Sequence, residues 1–351
     1  MSSTHPRQSI GVIGATGVVG REMLSILGDR GVPADSIRCI ASERSRGKQV
    51  PFGQDMLAVQ GLDETSISDL DVALFAAGSE CARRWAPIAV DSGAVVIDNS
   101  SAFRGDESVP LVIPEVNGSL LDGFQGPGLI ANPNCSTIIA LMSVTPIHRA
   151  AGIRRMSIAT YQSVSGAGGS AMEELERQVE EHASGRAPTS NVLPSQALFN
   201  VFAHESPVGP DGFNEEERKM RNEGRRILDA PGLEITATCV RVGVPRAHAM
   251  AIDLELERGL DAAEARELLA HAPGVRVVDD PESGRFPESI DAAGADEILV
   301  GRFRNHPDRS DQRGLILFAA GDQLRKGAAL NAIQILEQLP ATPCPGGATG
   351  G

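Results

Sequence analysis

The stretch Ile10-Gly-Val-Ile-Gly-Ala-Thr-Gly-Val-Val-Gly-Arg-Glu-Met-Leu24 sets the architecture of the first third of the chain. A strand enters a loop holding Gly11, Gly14, Gly17 and Gly20, and a helix leaves it with Met23, Leu24 and Leu27 on one side. Glycines let a backbone come close to a pyrophosphate, and a helix N-terminus adds amide donors and a favourable dipole. The spacing is G-x-x-G-x-x-G, less diagnostic than G-x-G-x-x-G. The strand-loop-helix context and the position near the N-terminus therefore carry the dinucleotide reading.

Outward from that loop, Ser9–Ala15, Ile37–Ala41, Val72–Ala77 and Ala94–Ile97 read as strands alternating with helical stretches, the pattern of βαβ units and a parallel sheet. The segment after the second strand, Ile40-Ala-Ser-Glu-Arg-Ser-Arg-Gly-Lys48, indicates the cofactor. An acid at the strand end holds the ribose of NAD, whereas arginine with hydroxyl donors accommodates a 2′-phosphate. Ser42, Arg44, Ser45 and Arg46 outweigh the single acid Glu43 and favour NADP.

Beyond Cys135 the pattern changes. Ile153–Gln162, Thr236–Val244, Met250–Glu257, Asp296–Arg302 and Gly314–Ala320 read as strands, and Glu173–His182, Glu215–Leu228 and Ala262–Ala270 as helices. This half is α+β with a mixed, largely antiparallel sheet, one face solvated or paired with another subunit. The connection between Ala183 and Asn214 is rich in Pro, Gly and Ser and has little periodicity, as a functional or interface loop would. Arg325–Leu339 reads as a closing helix that folds back on the first domain, and Pro340–Gly351 has a disordered composition.

Three hundred and fifty-one residues suggest two domains. A formal net charge of −14 argues against nucleic acid or an anionic membrane as the main partner, while leaving room for a local basic pocket. The N-terminus lacks the layout of a secretory signal, and no apolar run could span a bilayer, so a cytoplasmic protein is expected. Five widely spaced cysteines (Cys39, Cys81, Cys135, Cys239 and Cys344), without CxxC pairs or Cys/His clusters, point to reduced thiols and no metal.

One of the five stands apart. In Asn132-Pro-Asn-Cys-Ser-Thr-Ile138 the proline fixes a turn and an apolar helix begins, so Cys135 lies near a helix N-terminus. Unpaired amides and the helix dipole there favour a thiolate and can cradle an oxyanion on an attached acyl group. Cys39, Cys81 and Cys239 lack that setting and read as small buried residues.

"NPNCSTI", "NSSAFR" (Asn99–Arg104), "YQSVSGAG" (Tyr161–Gly168), "DAAGADEILVGR" (Asp291–Arg302) and "LRKGAALNAIQI" (Leu324–Ile335), with "GATGVVG", together resemble the aspartate-β-semialdehyde dehydrogenase family over Ile10 to Leu339. The resemblance implies a Rossmann-type NADP-binding domain at 1–134, completed by helix 325–339, a catalytic and dimerisation domain at 135–324, and a tail at 340–351. It further implies NADPH-dependent reduction of L-aspartyl-4-phosphate to aspartate semialdehyde in lysine, threonine and methionine biosynthesis, by a homodimer or homotetramer.

In that reading Cys135 forms a thioacyl intermediate, His248 is the general acid/base and Gln162 orients the acyl group. Arg241 clamps the α-carboxylate, Glu216 takes the amino group, and Lys219, Arg104 and Asn134 hold phosphate. Gly14, Ala15, Thr16, Gly17, Val18, Val19, Ser42, Arg44, Ser45, Ser165, Gly166 and Asn331 would bind the cofactor. His5 lies in the polar leader, and His148, His182, His204, His271 and His306 are expected at the surface or at helix ends.

Two departures touch the site. The family's Gly-His-Ser is here Ala247-His248-Ala249, and Gly243 replaces a proline. The Ala247 methyl is expected to tilt His248, and Ala249 lacks a hydroxyl that could support it. The rival within the class is N-acetyl-γ-glutamyl-phosphate reductase, whose blocked substrate has no use for Glu216. A non-catalytic paralogue acting as a binding protein would have no need of Cys135, Gln162 and His248, and a thiol hydrolase leaves the glycine loop unexplained.

Overall fold

A computed structural model describes residues 8–339. His5 and the expected tail with Cys344 lie outside the described residues. The chain divides into two compact units: Pro133–Leu330 forms one, and the segments on either side of it form the other.

The first unit contains strands β1 (Ile10–Ile13), β2 (Ile37–Ala41), β3 (Gln49–Phe52), β4 (Asp55–Gly61), β5 (Val72–Phe75), β6 (Val95–Asp98) and β7 (Gly128–Ala131), in the order β3-β4-β2-β1-β5-β6-β7. Helices α1 (Val18–Asp29), α2 (Glu64–Ile67), α3 (Ser79–Asp91) and α4 (Pro114–Asn117) connect them. Every neighbouring pair is parallel except β3 with β4. β1, β5 and β6 are buried along their whole length, as apolar strands covered on both faces must be. Ala82, Ala86 and Ala89 of α3 pack into a core with Ile13, Ala73, Phe75 and Val96, where small side chains let the helix lie close to the sheet.

Strand order reverses at β1, so the glycine loop opens at the switch point of a Rossmann-type sheet. Strands β3, β4 and β7 were not expected. β3 carries Pro51, tolerated because this strand is an edge, and β4 is largely exposed and so lacks an apolar run.

The second unit runs α5 (Cys135–Ala151), β8 (Ile153–Gln162), α6 (Gly169–Ala183), β9 (Val201–Ala203), α7 (Glu215–Ile227), β10 (Glu234–Val242), β11 (His248–Leu256), α8 (Ala262–Ala270), β12 (Val275–Val277), α9 (Ser289–Ala292), β13 (Ile298–Asn305) and β14 (Gly314–Gly321). Its sheet, β12-β13-β14-β11-β8-β10-β9, is mixed: β8 with β10 and β12 with β13 are parallel, the other neighbours antiparallel. Met156, Ile158, Ile235, Ala237, Ile252 and Leu254 are buried on one face, while Ala159, Thr236, Thr238 and Tyr161 on the other are exposed.

The aperiodic connection after α6 is ordered by side chains of that helix. Glu174 accepts the backbone N–H groups of Asn191, Val192 and Leu193, Gln178 those of Ala197 and Leu198, and Glu181 that of Thr189. These three residues, four and three apart, share one helix face and satisfy backbone that has no strand partner. The expected closing helix is broken in two: Arg325–Ala329 is a π-helical turn, and α10 proper spans Leu330–Gln338.

Candidate active site

Register places three of the expected residues at one end of the second sheet. Gln162 is the last residue of β8, and Arg241 on parallel β10 lies opposite it. His248 opens antiparallel β11, beside Ala249, which faces Tyr161. All three side chains are on the buried face, none more than 1% exposed.

Helix α5 is capped by Asn134, whose Oδ1 accepts from Ser136 N at 3.0 Å and Thr137 N at 3.2 Å. The cap is itself braced: its backbone N–H donates to Glu223 Oε2 (2.7 Å) and its Nδ2 to Glu216 Oε1 (2.9 Å). Gln162 Nε2 reaches the same Glu216 oxygen at 3.3 Å, and Thr160 Oγ1 donates to Gln162 Oε1, which fixes the amide's orientation. Glu216 thus joins the residue before Cys135 to Gln162. At 5% exposure it is no solvated helix-surface acid, although its other oxygen lies 3.7 Å from Lys219 Nζ. Lys219 also meets Glu215 at 3.0 Å.

Gly327, in the π-turn, is a site residue not singled out from the sequence. A Cβ there would come within 2.9 Å of Cys135 Cβ, so only glycine lets the turn cross the start of α5. Burial pushes the Cys39 thiol up to about 11 and Cys239 up to about 12, and raises Cys81.

His248 is fully buried, and its Nδ1 lies 3.1 Å from Ser163 N and 3.0 Å from Ser163 Oγ. Ser163 Oγ pairs with Ser165 Oγ, which accepts from Gln323 Nε2, and Gln323 Oε1 accepts the Ala247 N–H at 2.8 Å. The Nε2 of His248 has no hydrogen-bond partner among the described residues. Burial, then the charges of Arg241 and His204, hold this imidazole well below the ordinary histidine range. Gly166 lies over the same ring, since a Cβ there would approach Arg241 Nη1 to 2.9 Å and His248 Nε2 to 3.3 Å.

Of the three positions that depart from the expected pattern, Ala249 and Gly243 have local explanations, and nothing in the structure explains Ala247. Ala247 takes up a left-handed φ of +72°, which favours the glycine it replaces. Ala249 sits in an apolar cluster with Ala247, Ala292, Leu299 and Ala320, where a hydroxyl would find no partner among these alkyl groups. Gly243 packs against the Ala197 carbonyl, 2.5 Å from where a Cβ would lie.

Arg241 donates through Nη1 to Ser163 O (2.8 Å) and through Nη2 to His204 Nε2 (2.9 Å), while its Nε and Nη2 together grip the Glu205 carboxylate. His204, expected at the surface, is instead a member of this cluster with an 11% exposed side chain. Burial lowers its pKa against the opposing pull of Glu216, with Arg241 adding to the lowering. Glu205 had no signal in the sequence, because it lies 36 residues from its partner.

In the first unit Gly14, Ala15, Thr16 and Gly17 form the loop before α1, which Val18 and Val19 begin. Gly14 adopts φ +93°, and a Cβ on Gly20 would lie 2.2 Å from Gly14 O. Gly17 caps α1 without a side-chain hydrogen bond. After β2, Ser42 and Arg44 are exposed and Ser45 is buried, while Glu43 is engaged by Arg46 at 2.7 Å. Arg104 donates to Asn132 O (2.8 Å) and Asn99 O (2.7 Å). Asn331 is buried, with Nδ2 donating to Val112 O and Asn132 Oδ1.

Two family models match the chain: the semialdehyde dehydrogenase NAD binding domain over residues 9–123 and the semialdehyde dehydrogenase dimerisation domain over residues 144–326. The chain is similar to the aspartate-semialdehyde dehydrogenase of Synechocystis sp., at 44% identity over 330 residues covering 94% of this chain and 96% of that protein. It is equally similar to that of Aquifex aeolicus, at 44% over 332 residues covering 94% and 97%. Among solved structures, aspartate semialdehyde dehydrogenase II from Vibrio cholerae superposes with a TM-score of 0.89 at 40% identity, covering 94% of this chain and 97% of that one, and it has also been solved complexed with ASA. With both of its units matched and relatives alike over nearly its whole length, this chain belongs to the aspartate-semialdehyde dehydrogenase family.

Proposed function

We propose that this chain catalyses NADPH-dependent reduction of L-aspartyl-4-phosphate to aspartate semialdehyde, with release of phosphate. The observation that carries the reading is the Glu216 carboxylate, which ties the Cys135 helix cap to Gln162 beside Arg241. Cys135 attacks the acyl phosphate, the carbon–oxygen bond to phosphate breaks, and a thioester remains on the sulfur. Gln162 orients that acyl group, and the N-terminal end of the α5 dipole favours negative charge on the sulfur and on an oxyanion formed at the attached carbonyl. The reduced nicotinamide, when bound, supplies the hydride. His248 then exchanges a proton at Nε2 as the thiohemiacetal on Cys135 collapses to thiol and aldehyde.

Arg241 takes the α-carboxylate, Glu216 the amino group, and Lys219, Arg104 and Asn134 the phosphate. The residues of the first unit fit a dinucleotide: Gly14 and Gly20 allow close backbone approach, and the α1 amides have no side-chain cap. Ser42, Arg44 and Ser45 accommodate the 2′-phosphate of NADP, since Glu43 is already paired to Arg46. Ser165, Gly166 and Asn331 complete cofactor binding. The first unit serves as the cofactor domain and Pro133–Leu330 as the catalytic and dimerisation domain, a division a few residues from the expected bounds of 1–134 with 325–339 and 135–324. The exposed sheet face around Thr236, Thr238 and Tyr161 receives a second copy, giving a homodimer or homotetramer that works in the cytoplasm for lysine, threonine and methionine biosynthesis.

An assay of aspartate semialdehyde with phosphate and NADP, followed by the absorbance of the reduced cofactor, tests this. Turnover is expected with aspartate semialdehyde and not with N-acetylglutamate semialdehyde; the reverse preference would assign the chain to the reductase of the blocked substrate.

A further inference from the structure

The guanidinium of Arg241 is 1% exposed and already holds a carboxylate. Its Nε and Nη2, the edge suited to gripping two oxygens at once, both donate to Glu205. The remaining contacts, Ser163 O and His204 Nε2, are neutral acceptors, so Glu205 is the only anion in direct hydrogen-bonded contact with the buried cation among the described residues. A buried guanidinium stripped of its counter-ion is strongly unfavourable, which gives Arg241 a reason to hold an anion from this chain.

Glu205 is placed to leave. Its side chain is 25% exposed against 1% for Arg241, so it is the solvent-side member of the pair. It lies two residues beyond the short edge strand β9, whose exit is pinned by the His204 N–H on Cys239 O. Rotation of the side chain alone can therefore withdraw the carboxylate while the backbone stays in place. Burial raises its pKa, but the hydrogen bond and charge of Arg241, with His204, outweigh that and lower it, which favours the ionised carboxylate.

We propose that Glu205 is a resident carboxylate that substrate must displace: it neutralises Arg241 and is exchanged for the substrate's α-carboxylate on binding. The proposal rests on the assignment of the α-carboxylate to Arg241 made above. The exchange gives Glu205 a part in specificity. A ligand bringing a carboxylate replaces one charge-assisted pair with another, whereas a neutral ligand of the same shape would leave the guanidinium unpaired and gains no entry. The same exchange holds substrate affinity below what the bare fork would give, because binding yields only the difference between two carboxylates.

The test compares KM for aspartate semialdehyde, at saturating phosphate and NADP, in wild type, Glu205→Gln, Glu205→Asp and Arg241→Ala. L-2-aminobutyrate, which has the α-amino and α-carboxylate groups without the aldehyde, serves as a competitive inhibitor that needs no turnover. Glu205→Gln should lower both KM and the inhibition constant about tenfold, the equivalent of one modest charge-assisted contact, with kcat within about twofold. Glu205→Asp, one methylene shorter, should move both constants the same way by less, and it keeps the question answerable if the glutamine variant does not fold. Unchanged or raised constants in both Glu205 variants, while Arg241→Ala weakens both, would overturn the exchange and leave the Arg241 assignment standing. Constants unaffected by Arg241→Ala would instead remove the reading on which the exchange depends.

Discussion

The backbone N–H of Ser163 points at Nδ1 of His248 from 3.1 Å, and this contact decides which ring nitrogen carries the proton. A backbone amide can only donate, so Nδ1 accepts and the neutral ring keeps its hydrogen on the buried Nε2. In the folded chain the imidazole resists protonation, whereas in the unfolded chain it takes up a proton near the ordinary histidine value of 6.5. Below that pH the unfolded state binds more protons, so stability is complete above about pH 6.5 and falls as the pH drops. The loss from this one group is about 1.4 kcal/mol per pH unit. Urea unfolding between about pH 7.5 and pH 5.5 should show wild type losing stability faster than His248→Asn by that increment. His204 and His148 also have lowered pKa values and contribute equally to both curves, so parallel curves would contradict the buried, neutral state assigned to His248.

Alkylation should separate the cysteines. In a Cys344→Ser background, iodoacetamide is expected to modify Cys135 first, Cys81 more slowly, and Cys39 and Cys239 only on unfolding, because burial raises the last three. Cys135→Ala should abolish turnover, and Cys239→Ala should retain it. Peptide mapping after partial labelling reads the order directly, and early modification of Cys239 would count against it.

Ala247 holds φ +72° immediately before His248. Glycine removes the left-handed penalty while raising the entropy of the unfolded chain, and the first effect is the larger. Ala247→Gly should therefore stabilise the protein by roughly 0.5–1 kcal/mol in urea titration. Destabilisation would mean that the methyl's packing in the Ala249, Ala292 and Ala320 cluster outweighs the strain.

Gly327→Ala places a methyl 2.9 Å from Cys135 Cβ. The clash falls on the nucleophile, so kcat should drop about 10- to 100-fold, and the unfolding free energy should fall by about 1–3 kcal/mol. Activity close to wild type would show that the π-turn yields without moving the thiol.

Cofactor choice and phosphate binding are separable by substitution. Arg44→Ala should raise the KM for NADP by one to two decades, the loss of about 1.5–3 kcal/mol, and leave that for NAD nearly unchanged. Lys219→Ala should raise the KM for phosphate by a similar factor. Equal weakening of both nicotinamide cofactors would remove Arg44 from the 2′-phosphate site.

Local pattern was enough to read the glycine loop, the alternation of strands and helices in the first unit, the mixed sheet of the second and the helix start at Cys135. Each depends on residues a few positions apart: apolar periodicity, a proline turn, or glycines where backbone must approach a ligand. Gln162, Arg241 and His248 were named through resemblance, but their meeting at one end of a sheet follows from the register of β8, β10 and β11, which no local window contains. The bidentate hold of Glu205 on Arg241, the burial of His204 and the crossing of Gly327 over Cys135 had no sequence signal either. Charge pairing and close approach are set by distances in space between residues far apart in the chain, and folding alone fixes those distances.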